Sequence, residues 1–120
     1  MGRGTRSDGP RMTLQTLAVL QAMLQDPAGA HYGLEISKAV GFPTGTIYPI
    51  LARLERARWV SSDWENVDPS DEGRPRRRLY TLTGEGATTA RTELRKSRLL
   101  LTPAAPHPAD GFPYPDGTRA

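Results

Sequence analysis

The chain contains no cysteine and only two histidines, and no apolar run approaches the ~20 residues needed to span a bilayer. Without cysteine, neither a disulfide framework nor a thiolate metal site is possible. With only His31 and His107, a metal centre would depend on carboxylates, and no acidic residues stand at ligand spacing. A convergent Ser, His and Asp set and a phosphate-cradling loop are missing as well, so neither a cofactor nor enzymatic activity is expected. The N-terminal MGRGTRSDGPR lacks the apolar stretch of a signal peptide. These absences predict a cytoplasmic protein with no membrane partner.

At 120 residues the chain supports one small domain. If both ends are loose, its core nears the size at which association helps stability. Formal charge is +3, but the charge is unevenly placed. Residues 59–73 carry five acids and no base, and residues 74–80 carry four arginines and no acid. That distribution says more about partners than the sum does.

Residues 1–12 have no periodicity and read as a flexible basic arm. Thr13 or a neighbour caps a helix running to about Asp26, which Asp26-Pro27 ends. Leu14, Leu17, Leu20, Met23 and Leu24, with the alanines and valine between them, make this helix apolar nearly all round. Such a helix needs burial on two sides, by a thick core or by a second subunit. Tyr32 to Val40 forms a short helix stopped by Gly41-Phe42-Pro43.

The next helix lies within residues 41–60. Ile47, Ile50, Leu51 and Leu54 share one side of its wheel, opposite Gly45, Pro49, Ala52, Arg53 and Arg56. Its first exposed residues, Thr44, Gly45, Thr46, Tyr48 and Pro49, are mostly small or hydroxylic and include no acid. A phosphate-rich groove accepts such a helix start. Either Thr44 or Thr46 could cap it. With Thr44 as cap, Pro49 costs the hydrogen bond to Gly45; with Thr46, it costs none.

Alternation over residues 59–65 and again over 77–82 predicts an antiparallel hairpin with a long polar tip. A helix-turn-helix followed by such a hairpin is a winged helix. The tip carries Arg74, Arg76, Arg77 and Arg78. As exposed ion pairs with neighbouring acids these would contribute only ~0–1 kcal/mol each; as a wing they bring guanidinium groups to phosphates. Lys38 and Arg53 are further candidate DNA contacts. Thr83 caps a last helix over residues 84–101, where Ala87, Ala90, Leu94, Ser97 and Leu101 recur at coiled-coil spacing. This thin seam suits either a second subunit or the chain's own domain. Residues 102–120, with five prolines, read as a disordered tail. The expected architecture is mainly α with a small β-hairpin: a winged helix-turn-helix over residues 13–86 and a C-terminal dimerisation helix over 84–101.

With YGLEI at 32–36, GTIYPILARLE at 45–55, WV at 59–60 and RPRRRLYTLTGEG at 74–86, the chain resembles the N-terminal domain of PadR-type transcriptional regulators. The strongly matching motifs cover under half of it. The resemblance implies a homodimeric winged-helix repressor in which Thr44, Gly45, Thr46, Tyr48 and Pro49 meet double-stranded DNA and the wing arginines contact its backbone. It also implies dimerisation through the first and last helices, placing Leu14, Leu17, Leu20, Met23, Leu24, Leu94 and Leu101 at the interface, and a small, often aromatic effector held nearby. Two departures stand out. Arg58 occupies a position where the family typically has glycine, and the C-terminal part is short. The competing reading is a winged-helix module that binds protein through its acidic segment.

Overall fold

The structure is a computed structural model that describes residues 11–101, with side chains through residue 98. The expected tail at 102–120, most of the arm at 1–12 and the side chain of Leu101 therefore lie outside the described residues.

The first helix, α1 (Leu14–Leu24), is capped as its sequence implies: the Thr13 Oγ1 accepts the Thr16 N–H at 3.1 Å. It ends two residues before Asp26. Asp26 then anchors the following turn, its backbone carbonyl lying 3.0 Å from Nε2 of the buried His31. His31 and Tyr32 form a two-residue strand, β1 (His31–Tyr32), that leads directly into α2 (Gly33–Val40). The Tyr32 N–H donates to the Glu35 side chain at 3.1 Å, closing the first turn of α2. Gly41 ends that helix at φ +81°, a left-handed conformation that glycine adopts without strain.

The recognition-type helix α3 (Thr44–Arg56) starts immediately afterwards. Neither Thr44 nor Thr46 caps it. Pro43 takes that position in extended conformation, and its carbonyl accepts the N–H groups of Thr46 and Ile47. Pro49 thus lies inside the helix, and the Gly45 carbonyl loses its usual helical donor. Four residues of the apolar side, Ile47, Ile50, Leu51 and Leu54, are buried. Burial on that scale contributes roughly 1.5–3 kcal/mol per side chain.

The end of α3 contains the main departure from local preference. The Trp59 N–H donates to the Leu54 carbonyl and the Arg58 N–H to the Glu55 carbonyl, each at 3.0 Å. This is a Schellman pair, and it requires a left-handed residue between helix and strand. Arg58 fills that place at φ +66°, the one non-glycine with positive φ among the described residues. Trp59 and Leu54, which a Schellman turn brings together, are both buried in the core.

Two strands follow, β2 (Val60–Trp64) and β3 (Arg78–Leu82), antiparallel with Val60 opposite Leu82 and Trp64 opposite Arg78. The β1 strand pairs with the other edge of β3, so β3 is central in a three-stranded sheet. The tip also holds a short helix, α4 (Pro69–Glu72), capped by Asp68 and ended by Gly73 at φ +69°. Finally α5 (Gly84–Leu101) packs on α1. Thr83 caps it, accepting the Gly86 N–H at 2.9 Å. Ala90 belongs to the core formed by Val19, Leu20, Met23, Ile36, Leu51 and Val60, and Ala87 packs against that core. The first half of the α5 seam is thus spent within the chain. Among the described residues, no helix is long and apolar enough to cross a membrane.

Gly86 lies so close to the Trp59 peptide that a Cβ there would meet the Trp59 carbonyl oxygen at 1.8 Å. Gly86→Ala should therefore destabilise the domain by about 3 kcal/mol. Arg58→Gly should stabilise it by about 1 kcal/mol by relieving the left-handed arginine. Urea denaturation of the two variants checks both signs.

Candidate nucleic-acid interface

The outward face of α3 is built by default: its apolar stripe faces the core, and what remains faces solvent. Gly45, Tyr48, Pro49, Ala52, Arg53 and Arg56 are exposed, while Thr44 and Thr46 are half-buried. The first turn carries no acid. With Pro43 as the N-cap there is no side-chain oxygen to occupy the opening N–H groups, so those of Thr44 and Gly45 point out of the helix unpaired. The Thr44 and Thr46 hydroxyls, Lys38, Arg53 and Arg56 have no side-chain hydrogen-bond or ion-pair partner among the described residues. Glu55, further along the helix, accepts the Ser62 hydroxyl.

Tyr48 is 44% exposed. The outer edge of its ring lies over Gly33 at the start of α2. Tyr80 of β3 is nearby: burial raises its pKa, and the proximity of Tyr48 and Glu55 adds to the rise.

The wing arginines divide into two kinds. Arg74 is committed internally, its Nη1 and Nη2 donating to the two carboxylate oxygens of Glu65 at 2.7 and 3.0 Å. Glu65 is itself only 7% exposed. It also accepts the Tyr32 hydroxyl at 3.0 Å and the Arg77 N–H at 3.1 Å. Its pKa falls from 4.5 to about 2, chiefly because Arg74 donates to it, with the Arg77 and Tyr32 bonds adding and desolvation opposing. Arg74 is correspondingly raised by the same contact.

The other three arginines are oriented but not consumed. Arg76 donates through Nε to the Val67 carbonyl at 2.8 Å. The Arg77 guanidinium lies 4.6 Å from the centroid of the Tyr32 ring, and that of Arg78 lies 4.9 Å from the Trp64 ring. Arg78 also donates through Nε to Ser62 at 3.1 Å. Stacking on an aromatic face uses the plane of a guanidinium and leaves its N–H edge for a carboxylate or phosphate. Lys38 and Arg77 line one open groove of about 330 Å³ with Tyr32, Leu34 and Glu35, which places α2 and the wing side by side.

Of the apolar residues expected at a subunit interface, Leu20 and Met23 are fully buried in the chain's own core, and Leu17 and Leu94 are 8% exposed. Leu24 is half-buried against that core. Leu14 is 68% exposed. Sequence reasoning gave Glu65, Tyr32, Trp64 and Gly33 no role in the site. For Glu65 a signal existed: once Trp64 pairs with Arg78, Glu65 must lie opposite Arg77 at the mouth of the tip.

Glu65 ties the wing down only while ionised. Its pKa is depressed on folding, so its contribution is complete above about 4.5 and is lost as pH falls towards about 2. Stability measured by urea denaturation should decline across that window in the parent chain, and Glu65→Gln should flatten this part of the decline while lowering stability at neutral pH.

The description "Transcriptional regulator PadR-like family" matches residues 19–92 of this chain. No curated protein matches it. Among solved structures it is similar to a PadR-like transcriptional regulator from Bacillus cereus, at 20% identity and a TM-score of 0.57 over 74% of this chain and 84% of that one. It is similar to the overoxidized AbfR bound to DNA, at 20% identity and a TM-score of 0.60 over 76% of this chain. It is also similar to PcaV from Streptomyces coelicolor in complex with its natural ligand, at 26% identity and a TM-score of 0.57 over 78% of this chain. The chain spans 57% and 61% of AbfR in two structures and 64% of PcaV. The structural likenesses agree on the winged-helix fold, and the matched residues cover more than half of the chain. It belongs to the PadR-like family of transcriptional regulators.

Proposed function

We propose that this chain is a cytoplasmic, homodimeric repressor that binds a specific duplex DNA sequence and is released by a small aromatic ligand held near the dimer interface. The observation that carries the reading is the pairing of an acid-free start of α3, whose donors are unspent, with three wing guanidinium groups held by one side only. In this arrangement Thr44, Gly45, Thr46, Tyr48 and Pro49 enter the major groove, assisted by Lys38 and Arg53. Arg76, Arg77 and Arg78 take backbone phosphates, and Arg74 supports the wing from within. AbfR, a similar fold, has been solved on DNA, and PcaV with its natural ligand.

The competing protein-binding reading needs the acidic segment at the wing to face a partner. Glu65 is buried, Asp68 caps α4, and Glu72 lies 3.5 Å from Arg74. Much of that negative charge is used locally, which favours DNA.

Dimerisation would enlarge a small core, and Leu14, 68% exposed at the start of α1, is open to such a contact. The remaining half-buried residues of α1 and the far end of α5 would extend that contact. Sedimentation should give a particle near twice 13.1 kDa, and Leu14→Asp should shift it towards monomer.

Binding to duplex DNA from the gene's own upstream region, measured across salt concentrations, tests the function. Affinity should fall steeply with salt, and replacing Arg76, Arg77 and Arg78 with alanine should reduce the log–log slope by about 0.9 for each phosphate that is no longer neutralised. Footprinting should show half-sites roughly 10 bp apart, one helical turn. A salt-independent affinity, or a footprint unchanged by Tyr48→Ala and by the triple arginine variant, would sink the assignment.

A further inference from the structure

We infer that Gly33 is the positioning residue for Tyr48, acting by letting the phenol end of the tyrosine ring rest against the start of α2; the inference rests on the DNA-binding reading of α3. A Cβ at position 33 would meet Cε1, Cζ and Oη of Tyr48 at 2.4, 2.5 and 2.7 Å. The contact is therefore with the phenol end of the ring, which is carried back over α2 and does not project freely from α3. Gly33 is buried, and no dihedral demand accounts for it, since the positive-φ glycines among the described residues are Gly41 and Gly73. Within a helix alanine is preferred to glycine by up to about 1 kcal/mol. The space occupied by Tyr48 is the physical reason for glycine here.

Tyr48 nevertheless remains 44% exposed. One side of the ring rests on Gly33, Tyr80 lies close by, and the rest faces solvent on the same surface as Gly45 and Pro49. A ring held at both Cα and phenol ends loses little rotamer freedom on binding. Fixed this way it presents an apolar surface, suited to a thymine methyl or a deoxyribose, with the hydroxyl directed towards α2. Gly33 never touches DNA in this scheme. It determines what Tyr48 shows to it.

Gly33→Ala would turn the ring outward without disturbing backbone, because the obstructed atoms are the far end of a side chain. In the full-length chain, Gly33→Ala should weaken binding to the footprinted upstream duplex by about 5- to 100-fold, the range of one base-edge contact. Binding to an unrelated duplex of equal length and the thermal midpoint should stay near those of the parent. In a Tyr48→Ala background, the same change at position 33 should alter neither affinity. Parent-like specific affinity for Gly33→Ala overturns the inference, as does a loss that persists in the Tyr48→Ala background. Should Gly33→Ala fold poorly, recovery of the thermal midpoint in the double variant supports the ring contact, and failure to recover refutes it. Nuclear Overhauser contacts between the Gly33 Hα and the Tyr48 ring protons test the packing without DNA. A parent chain that shows those contacts but binds no duplex would defeat the DNA reading and leave the packing intact.

Discussion

The backbone of Arg58 and Trp59 holds three elements together. The Arg58 carbonyl accepts the Thr83 hydroxyl at 2.8 Å, the Trp59 carbonyl accepts the Thr83 N–H at 3.0 Å, and Gly86 lies against the same backbone. The end of α3, the entry to β2 and the start of α5 therefore meet at one place, through backbone groups and the Thr83 hydroxyl. Because α5 packs on α1, and α1 shares its core with the apolar side of α3, the helices proposed for dimerisation are tied to the recognition helix both through this junction and through the core. Arg58 tolerates a left-handed conformation costing about 1–2 kcal/mol because both N–H groups of the Schellman turn and the Thr83 hydroxyl are satisfied there.

A second constraint concerns charge. A hairpin tip with four arginines and several acids could collapse into exposed pairs of little energetic value. Instead the pairing is selective. Glu65, shielded from water, takes both nitrogens of Arg74 and also ties in Tyr32 from β1 and the Arg77 backbone. That leaves Arg76, Arg77 and Arg78 held by a carbonyl, a tyrosine face, and a tryptophan face with a serine hydroxyl. None of these partners is anionic. Phosphate would therefore not have to displace a carboxylate to reach them, which lowers the cost of docking the wing.

Features governed by local chemistry were legible in the sequence. The period of α3, the hairpin alternation, the Thr13 and Thr83 caps and the Gly41 stop each follow from residues within one or two turns, whereas Arg58 stood out only against the glycine of the resembled family. The miss at α4 was avoidable, since Asp68, Pro69 and Gly73 are an N-cap, a first-turn proline and a C-terminal glycine. The two residues of β1 could not be read, because a strand that short has no period and exists only by pairing with β3. Leu20 and Met23 illustrate the same limit from the other direction. An all-round apolar helix shows that burial is required, but not whether the chain's own α3 and α5 or a second subunit provides it, and here the core covers both residues. The site was legible in residue type and not in allegiance: nothing local distinguishes Arg74, spent on a buried carboxylate, from Arg76 to Arg78.

The start of α3 turns on two prolines. Pro43 caps without a side-chain acceptor, so the opening N–H groups and the hydroxyls of Thr44 and Thr46 remain unspent. Pro49, one turn on, withholds the N–H that would otherwise occupy the Gly45 carbonyl. The same exposed turn thus offers N–H donors beside threonine hydroxyls, which can both donate and accept, and Gly45 adds no side chain to keep a partner at a distance, with nothing among the described residues outside its own helical turn within 4 Å of where its Cβ would be. A surface meant only for phosphate would need donors alone. A base edge presents both polarities, and a helix start that answers both is better suited to reading sequence than to neutralising charge.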